Sequence, residues 1–379
     1  MTTRRELLGL ALATAAVRPG FAQNTPPRPE WRNRQPGMHY RRFGRTGLMI
    51  SEVLSGGDPI RGDNWKHLDL AIEMGLNYLG MAPSYSRGDC EIAYGKLLGG
   101  SSSKRMKVFL TTKVSEYRQI RNRMYKEIFD GLPGAKQTAI MKRVEEIRRE
   151  SLGEKPGYFI RYYAGQETQF APMYLSNAMS DEYSHKVEGS EVFRRTIRES
   201  IEGSLKRVGT DHFDTLMCPH GASSALELDN PYIHEMFLSL KQAGKVRFLG
   251  VTSHNDPAAV LRKATQLGVY DVAMFAYNIC NGGYLEQAII DAAKRDVGMI
   301  AMKAAHALAS HHKEVLPIPQ WRIDKVNRIV PGDWKPPLKG YIWALQNQHI
   351  SAVNSNLWNE TYVRENLAVA GVKVDLQPA

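Results

Sequence analysis

Eight short apolar runs divide this chain, and nearly every one is followed by a stretch with helical spacing. The runs are SEVLSGG (51–57), NYLGMA (77–82), KVFLTTKV (107–114), FDTLMCP (213–219), VRFLGVTS (246–253), VAMFAYN (272–278), GMIAMKA (298–304) and ISAVNSN (350–356). Helical patterns follow at Asn64–Met74, Asp89–Leu98, 191–208, 231–243, from Asp256-Pro257 onward, and at 284–295, 338–347 and 360–370. Strands that alternate with helices must run parallel, because a parallel neighbour is reached only through a crossover. Eight such units predict an α/β chain closed into a (β/α)8 TIM barrel. An open doubly wound sheet is the competing arrangement, but no G-x-G-x-x-G follows the first run.

Two features are added to that rhythm. MHYRRFGRTGLMIS, from Met38, predicts an N-terminal hairpin around Gly44 and Gly47. Between the third and fourth runs the alternation stops, leaving a polar insertion over about 115–190 that is rich in Arg, Tyr and Met. One helix is predicted inside it, from Lys136 to Ser151. Long loops of this kind serve as lids or binding elements. Since the insertion leaves the end of strand three, it belongs on the barrel face where chemistry is carried out.

The segment before Met38 is of another kind. Arg4-Arg5, the apolar run GLALATAAV and the small residues around Ala22 give residues 1–22 the pattern of a signal peptide of twin-arginine type. Residues 23–37, rich in Pro and Arg, read as a disordered linker, so the barrel is expected over 38–379. Export to the periplasm or beyond follows, with the export machinery as a transient partner. The net charge of +11 is spread along the chain and would fall by two with the loss of Arg4, Arg5, Arg18 and Glu6. No nucleic-acid motif is present, and no later stretch has the roughly 20 apolar residues needed for stable membrane insertion. Cys90, Cys218 and Cys280 are too few and too scattered for a disulfide framework.

Strand ends offer the reactive groups. Tyr85 follows the second run, Lys113 closes the third and His220 follows the fourth. A phenol with an ordinary pKa near 10 is a weak acid at neutral pH. A neighbouring ammonium lowers that pKa and eases proton donation. A histidine beside the pair can hold the substrate oxygen. The trio suits protonation of a carbonyl oxygen while hydride, which no side chain supplies, arrives from a cofactor. His220, His254 and His306, with Cys218 or Cys280, also permit a metal-dependent hydrolase or isomerase; no compact ligand motif supports it, and no metal ligand is assigned.

In these motifs the chain resembles the aldo/keto reductase superfamily. The resemblance runs from about Met38 to Ala370 apart from the insertion, on GRTGLMIS, NYLGMAPSY-x-x-x-x-CE-x-x-YGKLL, VFLTTKV, DTLMCPHG, GKVRFLGVTSH and VRENLAV. It implies reduction of a small carbonyl substrate, sugar-like ones included, with NADP or NAD. Three of the family's four catalytic positions fall on Tyr85 (acid), Lys113 (its pKa partner) and His220 (orientation). The fourth, an aspartate, falls on Gly80, with Asp58 as a possible substitute. Cofactor contacts carried over are Thr252 and Ser253 after strand five, Tyr277 and Asn278 after strand six, Lys303 after strand seven, and Asn359 and Asn366 at the adenine end. The family's glutamine on strand six is Met274, and the position that often binds a 2′-phosphate through Arg is Asn359. The missing aspartate also leaves room for a non-catalytic, ligand-binding relative. Tyr162, Tyr163 and Tyr174 of the insertion would suit stacking on a sugar face.

Overall fold

The structure, a computed structural model, describes residues 27–162, 166–310 and 317–378. The segment read as a signal peptide and Tyr163 lie outside the described residues. The barrel strands are β1 (Val53–Gly56), β2 (Tyr78–Gly80), β3 (Phe109–Lys113), β4 (Phe213–Met217), β5 (Val246–Ser253), β6 (Val272–Ala276), β7 (Gly298–Met302) and β8 (Ala352–Ser355). Each pairs in parallel with its sequence neighbour, and β8 closes on β1 through Val353↔Val53 and Ser355↔Ser55. The expected (β/α)8 barrel is therefore the observed fold.

Helices pack around it: α1 (Leu68–Glu73), α2 (Asp89–Leu98), α3 (Ser102–Lys107), α4 (Tyr117–Asp130), α5 (Gly134–Glu150), α6 (Ala171–Val187), α7 (Val192–Val208), α8 (Pro231–Gln242), α9 (Pro257–Leu267), α10 (Glu286–Lys294), α11 (Gln320–Ile329), α12 (Pro336–Gln346) and α13 (Glu360–Leu367). Local chemistry sets their ends. In α9 the Asp256 carboxylate accepts from Ala259 N, Pro257 fills the first turn, and Gly268 (φ +71) stops the helix.

The hairpin, Tyr40–Arg42 antiparallel to Leu48–Ser51, lies against the N-terminal end of the barrel. It sends Phe43, Leu48 and Ile50 into a core with Leu54, Tyr78, Phe109, Met217 and Ile300. Gly44 (φ +50) crosses Gly298 so closely that an added Cβ would fall 2.2 Å from the Gly298 nitrogen. That end is shut, and the opposite end holds the cavity.

Two expectations need correction. Residues 27–37, expected to belong to a linker, pack against the barrel. Glu30–Trp31 adds a parallel strand to the hairpin. Arg32 reaches fully buried Asp214, which Arg105 and Arg247 also bind. Arg32, one of the arginines that made this stretch look solvated, is thus spent on a buried carboxylate, and Arg34 lies over the Trp31 ring. The insertion contains three long helices, α4, α5 and α6, instead of one. Its buried faces are partly polar: Arg121 is 1% exposed and bonds Glu188 at 2.6 Å, and Ser176 bonds Asn122. Apolar periodicity could not register helices that bury such groups.

Candidate active site

β2 ends at Gly80, and the turn through Met81, Ala82, Pro83 and Ser84 delivers Tyr85. Ser86 (φ +47), Arg87 (φ +55) and Gly88 (φ +89) follow, three left-handed residues in a row. Two are not glycine, at a cost of about 1–2 kcal/mol each. Arg61 Nε donates to Ser86 Oγ at 3.0 Å and pins this turn.

Lys113, the last residue of β3, is 3% exposed. Its Nζ donates to Met81 O at 2.9 Å and to Tyr85 Oη at 3.2 Å. It forms no ion pair among the described residues. Burial lowers its pKa from the ordinary 10.5 to about 8, opposed by Cys90, Glu91 and Asp58. The Cys90 thiol is itself pushed up by burial and stays neutral. Glu91 is bound to Arg207 Nε (2.6 Å) and Thr112 Oγ1 (2.7 Å). Of the two carboxylates, Asp58 is the one that lines the cavity with Lys113. At Gly80, where the resemblance places an aspartate, an added Cβ would lie 3.2 Å from Ser55 O and 3.7 Å from Thr111 Cγ2.

His220 meets Tyr85 edge-on, ring centroids 5.7 Å apart. Its Nδ1 is 2.8 Å from Ser115 Oγ, which donates to Ser84 Oγ at 3.0 Å, so two serines fix the ring. Burial first, then the charge of Lys113, holds its pKa well below the usual histidine range, leaving a neutral imidazole at pH 7.

These groups face a cavity of 480 Å³ at the C-terminal ends of the strands. Tyr85, Lys113, His220, Thr252 and Lys303 line it; Ser253, Tyr277, Asn278, Asn359 and Asn366 do not. Ser253 Oγ donates to Ala222 O. Tyr277 turns into the helical layer, against Trp343 at 4.8 Å, and donates to Glu286. Asn278 Nδ2 donates to Tyr162 Oη. Asn359 caps α13, and Asn366 donates to Ser355 Oγ. Asn354 and Asn356 instead join Thr252, Met274, Met302 and Lys303 on the β5–β8 side. That side fits the reactive half of a nicotinamide dinucleotide: thioethers for a flat ring, amides and a hydroxyl for polar edges, and an ammonium for phosphate.

The insertion supplies residues that the sequence reading passed over. Ser115, Arg118, Gln119, Gln166, Gln169 and Phe170 line the cavity. Ser115 was legible in principle, lying two residues beyond Lys113 on the same face of an extended chain. Residues 156–162 then form a strap fastened to the loop after β6. Tyr284 Oη donates to Pro156 O, Asn281 and Phe159 exchange two hydrogen bonds, and Asn278 and Asn281 both donate to Tyr162 Oη. Tyr174 lies in α6 beside Ser151, outside the cavity lining. His220, His254 and His306 all line the cavity, yet among the described residues no three His, Cys, Asp or Glu gather as a metal site. No helix among the described residues is long and apolar enough to cross a membrane.

A closed eight-stranded barrel thus presents a tyrosine, a lysine and a histidine at its C-terminal mouth, where (β/α)8 enzymes carry their active sites. The aldo/keto reductase family matches residues 61–159 and 179–318, more than half of the chain, and the chain belongs to that family. It is 26% identical over 225 residues to the aldo-keto reductase AFTS1 of Alternaria alternata, a match spanning 56% of this chain and 49% of that protein's length. Among solved structures it is similar to the holo form of the aldo-keto reductase AKR11C1 of Bacillus halodurans. There the TM-score is 0.58 at 18% identity, covering 89% of this chain and 92% of that one. The apo form gives a TM-score of 0.55 at 17% identity, covering 89% and 91%. At such identities the likeness shows the fold.

Proposed function

We propose that this oxidoreductase reduces the carbonyl, or oxidises the alcohol, of a small polar substrate of sugar-like character, using NADP or NAD. The observation that carries the reading is Lys113 Nζ 3.2 Å from Tyr85 Oη at the wall of a cavity also bounded by His220. Lys303, Thr252, Asn354 and Asn356 would hold the dinucleotide, which when bound supplies or accepts the hydride.

The chain's own residues handle the proton. In reduction Tyr85 gives its phenolic proton to the substrate oxygen, and in oxidation the phenolate takes it back. The Lys113 ammonium stabilises the phenolate, and its bond to Met81 O keeps it beside the ring. The neutral His220 ring gives its Nδ1–H to Ser115 Oγ, so its Nε2 is left as an acceptor for the hydroxyl of the alcohol form and holds that oxygen beside Tyr85. The amides of Gln119, Gln166 and Gln169 offer partners for substrate hydroxyls.

Fluorescence titration of the mature protein with NADPH and NADH tests the cofactor, and Tyr85→Phe should retain binding while losing turnover. If neither dinucleotide binds, the reading is overturned. Gly80 and Met274 favour a second reading, a ligand-binding relative without turnover. The leader-like residues 1–22 support twin-arginine export to the periplasm; a periplasmic product whose N-terminus lies near residue 23 would agree, and retention in the cytoplasm would refute it.

A further inference from the structure

We propose that the cavity selects anionic carbonyl compounds and that Arg118 of the insertion receives the substrate's oxyanion. This rests on the oxidoreductase reading above and adds the substrate's charge. Three cations, Lys113, Arg118 and Lys303, line the cavity against one carboxylate, Asp58. All three act on the ring of His254, whose Nδ1 is buried without a hydrogen-bond partner. The cavity is therefore a positive enclosure with donors in excess.

The roles of the three cations differ. Lys113 is committed to Tyr85, and Lys303 stands at the end of β7, on the side suited to the dinucleotide. Arg118 stands in the first turn of α4, which follows β3, and is anchored to the loop after β4. Its Nη1 donates to Gly221 O at 2.8 Å and to Ser223 Oγ at 3.1 Å. Around a ring of eight strands this is across from β7 and β8, so an anion held here belongs to the substrate. Both hydrogen bonds use Nη1, and Arg118 forms no ion pair among the described residues. The Nε–Nη2 edge thus keeps the fork that grips a carboxylate or phosphate by two parallel bonds. Glu227, whose charge also reaches Arg118, accepts from Ser223 N, and burial raises its pKa toward the neutral form.

The test uses matched carbonyl pairs with the mature protein and its dinucleotide: 4-oxobutanoate against butanal, and glyceraldehyde 3-phosphate against glyceraldehyde. The wild type should favour the anionic member of at least one pair by tenfold or more in kcat/KM, and the responding pair separates carboxylate from phosphate recognition. Arg118→Gln should cut that preference by about ten- to hundredfold, the loss expected for hydrogen bonds to a charged group, mainly through KM. Arg118→Lys keeps the charge without the fork and should recover part of it, and matched thermal melts show that the loop after β4 is intact. Equal kcat/KM within both pairs, or a preference that survives Arg118→Gln, overturns the proposal. If no compound is turned over, the redox reading fails and calorimetry decides the present one. Binding of 4-oxobutanoate or glyceraldehyde 3-phosphate that is lost in Arg118→Gln upholds it; no binding overturns it.

Discussion

Lys113 allows a quantitative test that requires no substrate. Its ammonium is 3% exposed, and burial lowers its pKa from 10.5 to about 8. At about 1.4 kcal/mol per unit, charging this group in the folded chain at pH 7 costs about 3 kcal/mol relative to the unfolded chain. The folded pKa lies below the unfolded one, so between about pH 8 and 10.5 the unfolded chain binds more protons. Stability from this site therefore rises with pH across that window. Lys113→Met removes the titration and leaves every other group in place. The stability of wild type relative to the variant should increase by about 2 kcal/mol between pH 7 and roughly pH 9.5. Urea unfolding of both proteins at both pH values measures it, with equal slopes confirming comparable unfolding. If the reductase reading also holds, wild-type reduction should decline as pH passes about 8, because the charge that assists Tyr85 is lost there. Stability curves that run parallel from pH 7 to 9.5 would show the lysine titrating as it does in water. The account of how burial and Tyr85 share this site would then be wrong.

Other outcomes are as definite. Tyr85→Phe should lower kcat by about 10²- to 10⁴-fold in stopped-flow or steady-state assays. Asp58→Asn removes a carboxylate that raises the Lys113 pKa, so the alkaline limb of the activity profile should move to lower pH; an unmoved limb would exclude Asp58 from this role. Gly80→Asp should move that limb upward and raise turnover, at some cost in stability because Ser55 O must yield to a Cβ 3.2 Å away. Unchanged turnover, beside a weak wild type, would favour the ligand-binding reading. Glu188→Gln strands the buried Arg121 guanidinium and should destabilise the protein by about 3–5 kcal/mol, read from denaturant midpoints.

The convergence of Tyr85, Lys113 and His220 was legible because a barrel brings the C-terminal ends of β2, β3 and β4 to one rim. What the sequence did not reveal was the direction of side chains just past a strand. Tyr277 and Asn278 follow β6, and one joins Trp343 in the outer layer while the other fastens the strap. The contribution of Arg118 and Gln166 was hidden for a different reason. Their place depends on α4–α6, whose packed faces include Arg121, Tyr125 and Ser176, and on bonds between Phe159 and Asn281, 122 residues apart. Periodicity reports burial of apolar groups and is silent about buried polar ones. Arg32 misled in the same way, since its ion pair with buried Asp214, shared with Arg105 and Arg247, turns an apparently solvated stretch into part of the fold.

The strap at 156–162 has a consequence for how such an enzyme can be altered. It is fastened to the barrel by side chains, Tyr162, Asn278, Asn281 and Tyr284, and contributes no strand to the barrel. The whole excursion leaves after β3 and returns before α7, so the eight-strand register does not depend on it. It is in effect a cartridge: exchanging residues 117–187 would replace Arg118, Gln166 and Phe170 together and leave Tyr85, Lys113 and His220 in the barrel, provided the new segment again pairs Glu188 and holds the loop after β4. Evolution, or an engineer, could retune what enters this barrel without recutting the sheet.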